Sequence, residues 1–169
     1  MNVKPNPTSK AVNNDIIELD LSVTKKKKFR FDKDDSRILE LNVSDMNILG
    51  RISETYPKLN ELSDKASKLM EGIDIDEEDI ESSMASAGTM AERLKAIDTE
   101  MRELIDYMFN ADVSAVAAPD GSMYDPFQGS FRYEHIINLL IGQYENNLQS
   151  EFGKMEKQLK KHTAKYTKG

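Results

Sequence analysis

IESSMASAGTMAERLKAIDTEMRELIDYM, residues 80–108, decides the fold class. Its apolar side chains fall at Ile80, Met84, Ala87, Ala91, Leu94, Ile97, Met101, Leu104 and Met108. Steps of three and four lay one continuous stripe along an α-helix and are incompatible with the two-residue period of a strand. The spacing predicts a single long helix over 76–111, roughly 50 Å at ~1.5 Å per residue. Gly88 is its weak point, costing about 1 kcal/mol against alanine in a helix interior.

A second long stripe lies downstream, at Tyr133, Ile136, Ile137, Leu140, Tyr144, Leu148, Phe152, Met155 and Leu159. It predicts a helix over 131–166 with Ser130 as its cap. Its lysine-rich last turns suit the negative end of the helix dipole. Between the two helices, 112–130 reads as a loop. Upstream, steps of three or four at Leu49, Ile52, Tyr56, Leu59, Leu62, Ala66 and Leu69 predict helix over 44–71, capped by Ser44 and ended by Gly72. Pro57 either kinks that helix or starts a second one.

Before residue 44 the period is two. Ile17, Leu19, Leu21 and Val23 alternate with polar residues, Phe29 and Phe31 flank Arg30, and Leu39, Leu41 and Val43 follow the turn cluster DKDDS at 32–36. The expectation is a small antiparallel sheet over 16–43, covered by a helix. Residues 1–15, with Pro5, Pro7 and several asparagines, read as a disordered arm. The fold class is therefore mainly α with a small N-terminal antiparallel hairpin or sheet (α+β). One domain over 16–169 carries long amphipathic antiparallel helices forming a hairpin or bundle.

The chain has 169 residues, a net charge of −7, 38% hydrophobic and 31% charged residues, and no cysteine. Disulfides and thiolate chemistry are thereby excluded. No 18-residue apolar run occurs, and the first fifteen residues lack the apolar core of a signal peptide, so a cytoplasmic protein without membrane contact is expected. Charge is segregated. Residues 71–112 hold thirteen acids against three bases, whereas the last twenty residues hold six lysines against two glutamates. With the two long helices antiparallel, the acidic start of one would face the basic end of the other.

Chemistry-bearing patterns are few. His135 and His162 are the only histidines, which leaves a zinc site short of ligands, and no metal or cofactor is expected. Asp74, Asp76 and Glu78 in DIDEEDIE lack the central glycine of a calcium loop and read as helix capping within a solvated acidic turn. Ser122 or Ser130, Asp125 and His135 are the residue types of a triad, but no Gly-x-Ser-x-Gly elbow accompanies them. KKKKFRF at 25–31 interleaves bases with aromatics in the manner of a nucleic-acid surface. A strand there would turn both phenylalanines to the core and leave Lys25–Lys28 as a solvated edge, so nucleic acid is not the expected partner. Tyr124, Phe127, Phe131 and Tyr133 cluster in a connector that is long for a compact domain. They either seal the end of the helical pair or form an exposed protein-binding knob.

Three stretches carry a resemblance: KKKKFRFDKDDSRILELNVSDMNILGRI (25–52), GSMYDPFQGSFRYEHI (121–136) and KHTAKYTK (161–168). On these, the chain from about Ile16 to Lys168 resembles small proteins of the tail-gene region of phages and prophages of Gram-positive bacteria. The resemblance implies a non-enzymatic tail assembly chaperone or morphogenesis protein. It would bind a helical tape-measure protein or other tail proteins in the host cell cytoplasm, need no cofactor, and form a homo-oligomer. It brings no defined site residues. A phage-encoded inhibitor of a host defence protein, acting by protein binding or by acidic mimicry of nucleic acid, is the alternative; a neck or tail-completion protein of the virion is a further one.

Overall fold

The computed structural model describes residues 16–19 and 26–166. The expected fold class holds: a two-stranded antiparallel sheet and three long helices. Strands β1 (Lys27–Arg30) and β2 (Ile38–Leu41) pair in the register Phe29 opposite Leu39 and Lys27 opposite Leu41. Asp32 and Lys33 both take positive φ in the turn between them. Leu39, Leu41 and Val43 are buried as the alternation requires, and Phe29 and Phe31 pack at the margin of the core. Ile17 and Leu19 are each 82% exposed and enter no strand. Alternation supplies an amphipathic face, but a strand also needs a neighbour's hydrogen bonds, and among the described residues 16–19 pair with no strand. Leu21, Val23 and the arm 1–15 lie outside the described residues.

Helix α1 (Ile48–Glu71) runs unbroken through Pro57 and stops at Gly72. It begins later than expected, because Asn42 and Asp45 each fold back on an amide two residues on, Ser44 and Asn47 respectively. Those turns hold 42–47 out of the helix, and Ser44 is not its cap. Helix α2 (Ile80–Phe109) is capped by Asp79, whose carboxylate accepts from the Ser82 amide at 3.1 Å. It ends on Asn110 in the left-handed conformation, φ 49°. The capping assigned to the acidic turn is thus found at Asp79.

α1 and α2 form the antiparallel hairpin. Arg51 near the start of α1 donates to the Met108 carbonyl near the end of α2 at 2.8 Å, and Tyr107 reaches Glu54 at 3.0 Å. Gly72, after the end of α1, sits beside Met90. About ten residues of α2 therefore extend past the end of α1, some 15 Å of helix at ~1.5 Å per residue.

A short helix α3 (Val113–Ala117) and a minimal hairpin, β3 (Pro126–Phe127) and β4 (Ser130–Phe131), fill the connector. Helix α4 (Arg132–Tyr166) follows. It runs parallel to α2, not antiparallel. The Asp98 carboxylate accepts from the Met123 amide at 2.6 Å, and the Met123 carbonyl accepts from the Tyr133 amide, which sets Tyr133 level with Asp98. Eleven residues further along each helix, Phe109 meets Tyr144 with ring centroids 6.0 Å apart. Beyond that, Asn147 donates to the Val43 carbonyl and to Ser44 Oγ, at the opposite end of α1 from Gly72. The acidic start of α2 and the basic end of α4 therefore point in opposite directions. An amphipathic stripe buries equally well in either sense, so the stripes alone do not choose.

This parallel sense explains the long connector. Two antiparallel helices need only a few residues between them, whereas a parallel pair needs a return leg. From Phe109 the chain must travel back about 16 Å, the length of α2 from 109 to 98, before α4 begins. The core lies among β2, α1, the C-terminal part of α2, the return leg and the N-terminal part of α4. It includes Leu41, Leu59, Met101, Ile105, Met108, Met123, Tyr133, Ile137 and Tyr144.

Candidate functional site

The return leg is fastened by a polar row on α2. Asp98, Arg102 and Asp106 stand four residues apart and so share one helix face. Arg102 donates to the carbonyls of Ser114, Ala118 and Gly121 at 3.2, 3.0 and 2.8 Å, and pairs with Asp98 at 2.7 Å. Asp106 accepts from the amide and hydroxyl of Ser114 at 2.7 and 2.8 Å, holding the start of α3. From the other side, Arg37 of the sheet turn donates to the Val116 and Ala117 carbonyls at 3.0 and 2.6 Å. Irregular backbone laid against a core must find partners for its carbonyls, and these two arginines supply them. The apolar stripe of α2 gives no hint of this row. The available signal was an acid–base–acid row at four-residue spacing next to an unusually long connector.

Gln128 and Gly129 both have positive φ, 48° and 86°, the conformation of a two-residue hairpin turn of mirror-image type. The Asp-Pro-Phe-Gln-Gly turn is thus the tip of the β3–β4 hairpin. Ser130 does not cap α4. The first amides of that helix donate to loop carbonyls instead, Arg132 to Asp125 and Tyr133 to Met123, both at 2.9 Å. Ser130 Oγ lies 2.8 Å from His135 Nε2, which is also 2.7 Å from the Phe127 carbonyl. A carbonyl only accepts, so Nε2 carries the proton in this arrangement. Asp125 accepts from the Ser122 amide at 2.9 Å and faces Arg132. Ser130 and His135 are thus brought together, with His135 as donor, and Asp125 is engaged elsewhere.

The four aromatic candidates divide. Tyr133 is buried, its hydroxyl hydrogen-bonded with Ser63 of α1, and burial holds its pKa above the usual tyrosine value. Phe131 stacks on Tyr133 at 6.3 Å and is half-buried, and Tyr124 is likewise packed against the core. Phe127 is 47% exposed, braced edge-on by the His135 ring at 5.0 Å. Three members close the core and one is presented to solvent. Phe127 borders a cleft of about 330 Å³ with Phe31, Arg37, Arg132, His135 and Leu139.

Larger apolar surfaces lie on the two long helices. The stripe of α4 that is buried through Tyr144 continues as Phe152, Met155 and Leu159, which are 55%, 54% and 66% exposed. At the other end of the molecule the stripe of α2 continues outward as Met84 and Ile80, 69% and 58% exposed. Both are core seams that outrun their partners. Phe29 and Phe31 are partly buried, and the neighbouring Lys26–Lys28 are exposed, with Lys28 paired to Glu40 at 3.3 Å. Among the described residues, no group of three or more His, Cys, Asp or Glu is placed to hold a metal ion, and no helix is long and apolar enough to cross a membrane. No protein-family model, curated protein or solved structure matches the chain.

Proposed function

We propose that this protein is a non-enzymatic assembly factor that binds amphipathic helices of other proteins. In the phage setting implied by the sequence resemblance, it is a tail assembly chaperone that shields a tape-measure-type protein in the host cytoplasm. The observation that carries the reading is the exposed seam Phe152–Met155–Leu159, spaced as a helix-binding face and continuous with the core seam. Methionine and leucine side chains on such a face repack against different helices at little cost. Phe127 and the cleft beside it offer a second, smaller anchor.

Co-expression with a tape-measure-type protein tests this. A soluble complex is expected, lost in Phe152→Glu/Leu159→Glu; the absence of any association overturns the reading. A second reading is an inhibitor of a host defence protein through acidic mimicry of nucleic acid. It is favoured by Asp74, Asp76, Glu77, Glu78, Asp79 and Glu81, all exposed and in no ion pair among the described residues. Competition with DNA for a basic host protein, abolished by Glu77→Lys/Glu78→Lys/Asp79→Lys/Glu81→Lys, is its expected signature.

A further inference from the structure

The two unfinished seams match each other. On α2 the outlying positions are Ile80, Met84, Ala87 and Ala91; on α4 they are Leu148, Phe152, Met155 and Leu159. Both follow steps of four, three and four, the spacing at which two helices interlock side chains along a shared seam. Their sizes are complementary. Ala87, Gly88 and Ala91 leave room on α2, and nothing lies within 4 Å of a side chain added at Gly88. The large residues are on α4.

Charge is complementary as well. Asp74–Glu81 crowd the outer end of α2, and Lys154, Lys157, Lys160, Lys161 and Lys165 the outer end of α4. The ion pairs of Lys154 and Lys160 are with Glu151 and Glu156 of the same helix. Within one molecule the two ends never meet. Because α2 and α4 are parallel, Glu81 and Lys160 lie roughly 65 Å apart along the common direction at ~1.5 Å per residue.

We infer that the occupant of each seam is the other seam of a second copy. The basic end of α4 from one molecule packs antiparallel along the acidic end of α2 from the other, which sets Leu159 beside Ile80 and the lysines beside Asp74–Glu81, with the two molecules pointing in opposite directions. The charge pattern selects this contact over a pairing of like ends. Symmetry about the α4 end would oppose lysines to lysines, and symmetry about the α2 end acids to acids. Because the two ends lie the same distance apart in each molecule, a two-fold axis midway along the pair satisfies both contacts at once and closes the assembly as a dimer. A client helix would compete for these same seams; the self-contact itself requires no client and stands or falls independently of that reading.

The experiment measures the mass of the full chain by sedimentation across concentration. Three proteins are compared: wild type, Lys157→Glu/Lys160→Glu/Lys161→Glu, and Glu77→Lys/Glu78→Lys/Glu81→Lys. Wild type is expected to be a dimer, and to dissociate as salt rises from about 0.1 M to about 1 M, where the screening length falls from ~10 Å to ~3 Å. Each variant alone is expected to be monomeric with unchanged helical circular dichroism, because both its ends then carry one sign. Mixing the two variants is expected to restore association, which a merely misfolded variant could not do. The inference is overturned by a wild-type monomer up to ~100 µM, a range that captures micromolar affinities. Growth beyond a dimer overturns it too, as do variants that assemble like wild type.

Discussion

Replacing Arg102 by methionine keeps the apolar stem of the side chain and removes its five donors. In the native fold those donors serve the carbonyls of Ser114, Ala118 and Gly121 and the carboxylate of Asp98. A hydrogen bond to a charged group is worth about 1.5–3 kcal/mol net, and shared bonds from one group do not add in full. The Arg102 side chain is 23% exposed and Asp98 16%, so water replaces part of what is lost. A loss of about 3 kcal/mol is expected. At ~2–4 °C per kcal/mol for a domain of this size, the melting temperature falls by roughly 6–12 °C. Arg102→Lys is expected to lose most of the same amount, since an ammonium cannot span three carbonyls held at different points of the return leg. Urea denaturation followed by circular dichroism measures both. A cost below about 1 kcal/mol for the methionine variant, or a lysine variant as stable as wild type, would refute the role given to this row.

Gly121 has φ +80°, and a side chain there would collide with the Asp125 carboxylate and the Arg132 guanidinium; Gly121→Ala is expected to cost about 1–3 kcal/mol by the same assay. Phe131→Ala should cost about 2 kcal/mol, since it opens the stack on Tyr133, whereas exposed Phe127→Ala should stay within about 0.5–1 kcal/mol of wild type. Burial raises the pKa of Tyr133 and of Tyr144 above the usual 10.0. The unfolded chain therefore releases these protons first. Their contribution is intact below about pH 10 and is lost as pH rises from there toward the raised folded values. A double Tyr133→Phe/Tyr144→Phe variant should show a smaller drop in melting temperature between about pH 9 and pH 11 than wild type.

What could be read directly from the residues was a repeat with a packing partner, which Ile17 and Leu19 lack among the described residues. The alternation Leu39–Leu41–Val43 and the three-four steps of α1, α2 and α4 are consequences of backbone period, and each element formed where its pattern lay. Polar side chains that bond to backbone carbonyls have no period. Arg37, Arg102 and Asp106 set the path of the return leg, yet each resembles any surface charge in sequence. The cap positions failed for a related reason. Ser44 and Ser130 are the right residue types, but turns by Asn42 and Asp45 delay α1, and the Met123 and Asp125 carbonyls already serve the first amides of α4. Of the aromatic cluster, composition marked the region, but only the packing against Ser63 and His135 separated buried Tyr133 from exposed Phe127.

The parallel register of α2 and α4 also fixes an order of events during synthesis. The α1–α2 hairpin is a local contact and is available to form once Phe109 has been made. The α4 residues that cover Met108 and Phe109 lie near Tyr144, 35 positions later. At ~5–20 residues per second on the ribosome, the buried face of α2 waits roughly 2–7 s for its cover. During that interval a nascent chain carries an open methionine-rich groove with the right seam to accept an amphipathic helix from elsewhere. The return leg therefore sets a time window as well as a distance.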